Sequence, residues 1–201
     1  MDSRVIAELV LHLGRITSGD GLVDGLMPGQ WAILRYLASA NRFSRTPSAF
    51  AAFHGTTRGT VSQTIKSLVA QGYLKQTRSR TDGRSVRLDL TNKARAIIAN
   101  DSPRSPGAGR GRTSPPGVRG HFSNGLQRLL GHVASATNKP LFGTCNTCGH
   151  LEGDGCCQEG RTAYTCGFLS ESLTEEELDE LCINFAPDKP SSPRTPSVGG
   201  A

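Results

Sequence analysis

Apolar side chains recur at helical spacing in the first stretch of the chain. Val5, Ile6, Leu9, Val10, Leu13 and Ile16 fall on one stripe, which predicts an amphipathic helix over 3–17. Glycines at 19, 21 and 25 break it. Met27-Pro28 then opens a second helix to about Ser39, with Trp31, Leu34, Leu37 and Ala38 inward, and Thr46-Pro47 opens a short third one ending near His54-Gly55. A fourth starts at Thr56-Thr57, carries Val61, Ile65, Leu68 and Val69 on its apolar face, and stops at Gly72.

The period then changes from helical to alternating. Leu74 to Thr77 leads into an Arg-rich loop, and Val86, Leu88 and Leu90 alternate with Arg87 and Asp89 beyond an Asp82-Gly83 pair, the pattern of a β-hairpin. Thr91 caps a helix from Asn92 to about Ala99. Residues 102–120 are so rich in Pro, Gly, Ser and Arg that they read as a flexible linker, after which Phe122, Leu126, Leu129, Leu130 and Val133 restore helical spacing. Thr174 to Glu177 is a capping-box pattern that predicts one more short helix bearing Leu178, Leu181, Cys182 and Phe185.

Charge sharpens this division. The 201 residues hold 23 Lys plus Arg against 17 Asp plus Glu, a net charge of +6. The sum hides a basic middle, from 54 to 139, and an acidic end after 140. A basic block is the footprint of a polyanion-binding surface. No apolar run reaches the roughly 18 residues of a membrane span, and the amphipathic start is not a secretory signal, so a cytoplasmic protein without a membrane partner is expected.

Two short helices joined by a Gly-containing turn, followed at once by a charged hairpin, describe a winged helix-turn-helix. The fourth helix keeps a polar face of Thr57, Arg58, Thr60, Ser62, Gln63 and Lys66, with no acid on it. Hydroxyls and Gln read base edges there, while Arg and Lys reach phosphate or guanine. Arg78, Arg80, Arg84 and Arg87, with Asp82 among them, make the hairpin a candidate contact with a narrow minor groove.

Pro28 to Leu34 (PGQWAIL), Thr57 to Tyr73 (TRGTVSQTIKSLVAQGY) and above all Asp82 to Thr91 (DGRSVRLDLT) resemble the MarR family of winged-helix transcriptional regulators, over about residues 3–100. The resemblance implies that residues 58–66 lie in the major groove, that Arg84 enters the minor groove with Asp82 shaping the wing tip, and that the protein is a homodimer on double-stranded DNA. Helices 3–17 and 117–136 would supply the dimer contacts. The linker at 102–114 departs from the family, which keeps helix there.

Cysteines appear only from position 145 onward. Cys145 and Cys148 form a CxxC knuckle and Cys166 and Cys182 follow singly, four thiols suited to an iron-sulfur cluster or to zinc. So short and polar a segment needs such a staple to fold. Cys156-Cys157 reads as spare loop thiols and His150 as a surface residue. The Cys-rich end also resembles an extension carried by some MarR-like proteins.

The expected protein is mainly α with a small β-hairpin wing: a winged helix-turn-helix over 1–100, a linker over 101–116, a dimerisation helix over 117–138, a metal-stapled module over 140–186 and a disordered tail over 187–201. The expected function is that of a transcriptional regulator, a repressor, whose Cys cluster senses redox or metal state. The alternatives are a DNA-binding protein with a purely structural zinc module, or a thiol oxidoreductase built on Cys145 and Cys148. No βαβ context precedes the CxxC and no catalytic triad or phosphate loop is present in the sequence, so an enzyme is not expected.

Overall fold

The computed structural model describes residues 2–18, 25–78, 86–100, 116–153 and 164–187. The chain divides into two compact units, Met1–Pro140 and Leu141–Ala201. Of the linker expected over 101–116 only Pro116 is described, and it opens a helix; of the tail expected over 187–201 only Pro187 is described, and it forms an antiparallel bridge with Cys148. The remainder of both, and the wing tip over 79–85, lie outside the described residues.

The first unit runs α1 (Ser3–Ser18), α2 (Pro28–Ser39), α3 (Pro47–His54), α4 (Arg58–Ala70), β1 (Leu74–Arg78), β2 (Val86–Leu90), α5 (Asn92–Asn100) and α6 (Pro116–Thr137). The helix starts are set by local hydrogen bonds. Thr46 Oγ1 accepts the Ala49 N–H at 3.1 Å, Thr57 Oγ1 that of Thr60 at 3.2 Å, and Thr91 Oγ1 that of Ala94 at 3.3 Å. At α2, which lacks a Ser or Thr cap, Gln30 reaches back and accepts the Met27 N–H at 2.8 Å. Gly72, at φ +76°, ends α4, and the Tyr73 N–H donates to the Leu68 carbonyl at 2.9 Å, the closure that a left-handed residue permits.

The core is built around α2. Trp31, Ile33, Leu34, Tyr36 and Leu37 are buried from that helix, and Phe50, Val61, Ile65, Leu68, Leu88 and Ala94 meet them from α3, α4, β2 and α5. Because α4, α5 and β2 all pack on α2, its buried surface is wider than a single stripe. Ile33 and Tyr36 therefore turn inward, while Ala38, in the last turn, is exposed rather than buried as expected. Val69 also lies outside the core, 36% exposed. Strands β1 and β2 pair antiparallel with Leu74 opposite Leu90 and Arg78 opposite Val86, and the Leu88 N–H donates to the Arg45 carbonyl at 2.7 Å, fastening the hairpin to the loop before α3.

Helices α1 and α6 keep their predicted apolar stripes but leave them exposed in the single chain: Val5, Leu9 and Leu13 on one, Phe122, Leu129 and Val133 on the other.

The second unit comprises β3 (Gly143–Thr144), β4 (Leu151–Glu152), β5 (Tyr164–Cys166), β6 (Glu171–Leu173) and β7 (Leu181–Cys182), with 3-10 turns at Cys145–Thr147 and Glu176–Asp179. Strands β4, β5 and β6 form an antiparallel meander, and β3 pairs with β7. The helix expected to run from Thr174 to Phe185 is a single 3-10 turn. Its capping pattern is half made, since the Glu177 carboxylate accepts the Thr174 N–H at 3.0 Å. Propagation stops because Leu181 and Cys182 pair with Thr144 and Gly143, which draws the chain into a strand.

Candidate nucleic-acid interface and thiol cluster

Helices α3 and α4 are joined by a tight turn at Gly55. Its φ of +66° is a left-handed conformation that favours Gly, and it lets both the Gly55 and the Thr56 N–H donate to the Ala51 carbonyl. The apolar face of α4 docks through Val61, Ile65 and Leu68, leaving Arg58, Ser62, Gln63 and Lys66 exposed. Thr57 and Thr60 are exposed as well, but their hydroxyls bond each other at 2.9 Å and serve the helix cap. The described α4 therefore presents two long cations, a hydroxyl and an amide to solvent with no carboxylate among them.

The hairpin adds Arg78, exposed at the end of β1, and Arg87, exposed on β2. Arg87 Nε donates to Asp89 Oδ1 at 3.0 Å, so this guanidinium is already held by its own strand. Arg80, Asp82 and Arg84 lie outside the described residues.

Sequence reading missed the bonds that fix α4 against its neighbours. Gln30 Nε2 donates to Ser67 Oγ at 3.1 Å and Gln71 Nε2 to the same oxygen at 2.9 Å, tying α2 to the back of α4. Lys93 Nζ donates to the Gln71 carbonyl at 2.9 Å and lies 4.1 Å from the centre of the Tyr73 ring, while Thr91 Oγ1 donates to the Gly72 carbonyl at 2.8 Å. These contacts lock the junction between helix and wing. The capping role of Thr91 and the i, i+4 pair of Ser67 and Gln71 are local, whereas the other partners are far apart in sequence.

In the second unit Cys145, Cys148, Cys166 and Cys182 are all buried and all free of disulfides. Cys145 and Cys148 flank a 3-10 turn, closed by the Cys148 N–H on the Cys145 carbonyl at 3.0 Å, Cys166 ends β5 and Cys182 ends β7. Cys148 and Cys182 pack with Phe185 and Leu141. Burial pushes the Cys145 thiol up to about 12, and the neighbouring Cys182, Cys148 and Cys166 and then Glu177 add to the rise. The four thiols thus occupy one neighbourhood. Coordination is the stricter condition, since sulfur sits about 2.3 Å from zinc. Among the described residues no three His, Cys, Asp or Glu side chains converge as a ready-made metal site. His150 stacks on Phe168 with ring centres 5.1 Å apart, and Cys156 and Cys157 lie outside the described residues.

Residues 24–85 match the MarR family. The match takes in α2, α3, α4 and β1 and stops within the wing. A MarR transcriptional regulator from Methanosarcina mazei Go1 is similar in structure, at 20% identity over 67% of this chain and 99% of that one, with a TM-score of 0.52. This likeness shows the winged-helix MarR fold. Bordetella bronchiseptica BpsR, described through regulation of its DNA binding by 6-hydroxynicotinic acid, is 18% identical over 62% of this chain and 97% of its own, with a TM-score of 0.45. Streptococcus pneumoniae FabT, solved in complex with DNA, is 20% identical over 67% of this chain and 99% of its own, with a TM-score of 0.43. No curated protein matches the chain. The thiol-bearing unit begins more than fifty residues beyond the MarR match. Among the described residues no helix is long and apolar enough to cross a membrane.

Proposed function

We propose that the protein is a DNA-binding transcriptional regulator, a dimeric repressor rather than an enzyme, with α4 in the major groove and the β1–β2 hairpin as its wing. The observation that carries this reading is the exposed, acid-free face of α4, held rigidly by buried neighbours and followed directly by the hairpin. Arg58, Ser62, Gln63 and Lys66 are its reading and anchoring side chains, with Arg78 and the loop residues Arg80, Asp82 and Arg84 completing the wing contact. The uncovered stripes of α1 and α6 supply the dimer surface, because apolar side chains at helical spacing gain most by burial against a second copy. Footprinting of genomic fragments, followed by titration of Arg58→Ala and Gln63→Ala on the bound site, tests it. Each substitution is expected to cost about 1–3 kcal/mol at one base position; unaltered affinity in both would reject the α4 assignment.

The thiol unit is the sensor in this reading. Cys145, Cys148, Cys166 and Cys182 would hold zinc or an iron-sulfur cluster, or would respond to oxidants as thiols. The buried donor set fits a soft metal, and its binding would supply folding free energy to so small a unit. A purely structural zinc module is the second reading. It is favoured if metal removal unfolds residues 141–187 without changing DNA affinity.

A further inference from the structure

We infer that Lys139 is a positioning residue, tying the end of α6 to the turn of the helix-turn-helix and so linking the chain that enters the thiol unit to the helix that reads DNA. The inference rests on the regulator reading above and names the route by which the thiol state would act.

Helix α6 ends at Thr137, and Asn138 follows in the left-handed region at φ +52°. The Lys139 N–H returns to the Ala134 carbonyl at 3.0 Å, which fixes the direction of the chain as it leaves the helix. The Lys139 side chain comes to Gly55: a Cβ placed on that glycine would lie 3.8 Å from Lys139 Nζ. Gly55 caps the C-terminal end of α3, where the helix dipole is negative and an ammonium group is favoured. Two residues further on, Thr57 caps α4. On its other side Lys139 stands six positions before Cys145. A change in the thiol unit that pulls on residues 140–144 would therefore act on the ammonium group at the pivot between α3 and α4. On this inference the charge at the end of α3, and not the length of the stem, carries the effect.

DNA affinity of the full-length wild type, Lys139→Met and Lys139→Arg tests this on the footprinted fragment, first in dithiothreitol with chelator, then after diamide and after Zn2+. Wild type is expected to bind differently in the first state than in at least one of the others. Lys139→Met is expected to narrow that ratio by about two- to fivefold, the scale of one charge at a helix end, and Lys139→Arg to keep it. A Lys139→Met protein with the wild-type ratio, even if its affinity is uniformly weaker, overturns the inference and leaves the sensor reading intact. Wild-type affinity that is equal in all states overturns the sensor reading, and the inference falls with it. Thermal melts establish that the variants are folded, as expected for an exposed side chain.

Discussion

The two units of this chain bury different materials. Around α2 the core is hydrocarbon and aromatic, with Leu34, Ile65, Leu68 and Leu88 no more than 1% exposed. Among the described residues of 141–187 four of the buried side chains are thiols, and Leu173, Leu178 and Phe185 are the larger apolar groups there. Hydrocarbon does not change with pH, metal or oxidant. Thiols change with all three, so the stability of a unit whose interior holds them is expected to depend on chemical state more than that of the winged helix. The function proposed above would draw on this difference, with the first unit reading DNA and the second responding to its chemical surroundings.

The largest effect that can separate the two is a cavity in the first unit. Ile65→Ala is expected to cost about 2–5 kcal/mol there and to abolish DNA binding at temperatures where wild type is folded. Trp31, the single Trp of the chain and 3% exposed, reports that transition by fluorescence. Alkylation of the buried cysteines should keep its wild-type rate. If the cysteines become reactive together with the loss of Trp31 burial, the units are not independent and the contrast fails.

Alkaline pH should act on the other side of the comparison. Burial, followed by the other three thiols and Glu177, raises Cys145 from about 9.0 in the unfolded chain to about 12 in the fold. The unfolded chain therefore gives up this proton first, and the contribution is present below pH 9 and lost as pH rises toward 12. Residues 141–187 are expected to loosen over that window, seen as faster alkylation of Cys145 and Cys166 than thiolate formation alone accounts for. The Trp31 transition should be much less sensitive. Bound metal would remove the effect, because the thiols are then ionised in the fold itself.

How far each unit can be read from sequence follows the same contrast. In the first, Thr46, Thr57 and Thr91 begin helices and Gly72 ends one through bonds spanning a few residues, so local pattern suffices. Ala38 misleads because burial along α2 depends on how many elements surround it. In the second unit the Thr174–Glu177 pattern forms its local bond, yet the strand pairing of Leu181 with Thr144 decides the structure, and no local signal carries a partner so distant. Cysteine spacing singles out the four thiols that are buried in this unit, while their convergence as a metal site is not seen among the described residues. The burial of Glu177 beside Cys145 has no such signal, since it is one acid in a run of acids. The Gln30–Ser67 bond is silent for the same reason as the strand pairing, since 37 residues separate its partners.

The smallest effect tests whether the face of α4 is a reading surface or merely a well-capped helix end. Thr57 serves the cap, accepting the Thr60 N–H and bonding the Thr60 hydroxyl, while Gln63 stands on the exposed face with neither duty. Thr57→Ala is expected to lower stability by about 1 kcal/mol through the lost cap and to weaken DNA through fraying of the first turn of α4, equally for every operator variant. Thr57→Ser keeps the cap oxygen and should restore both. Gln63→Ala, by contrast, should leave the Trp31 melting transition in place and relax preference at one base pair only. A Thr57→Ala protein that loses specificity at a single base pair, with its stability unchanged, would move Thr57 from the scaffold of the helix to its reading face.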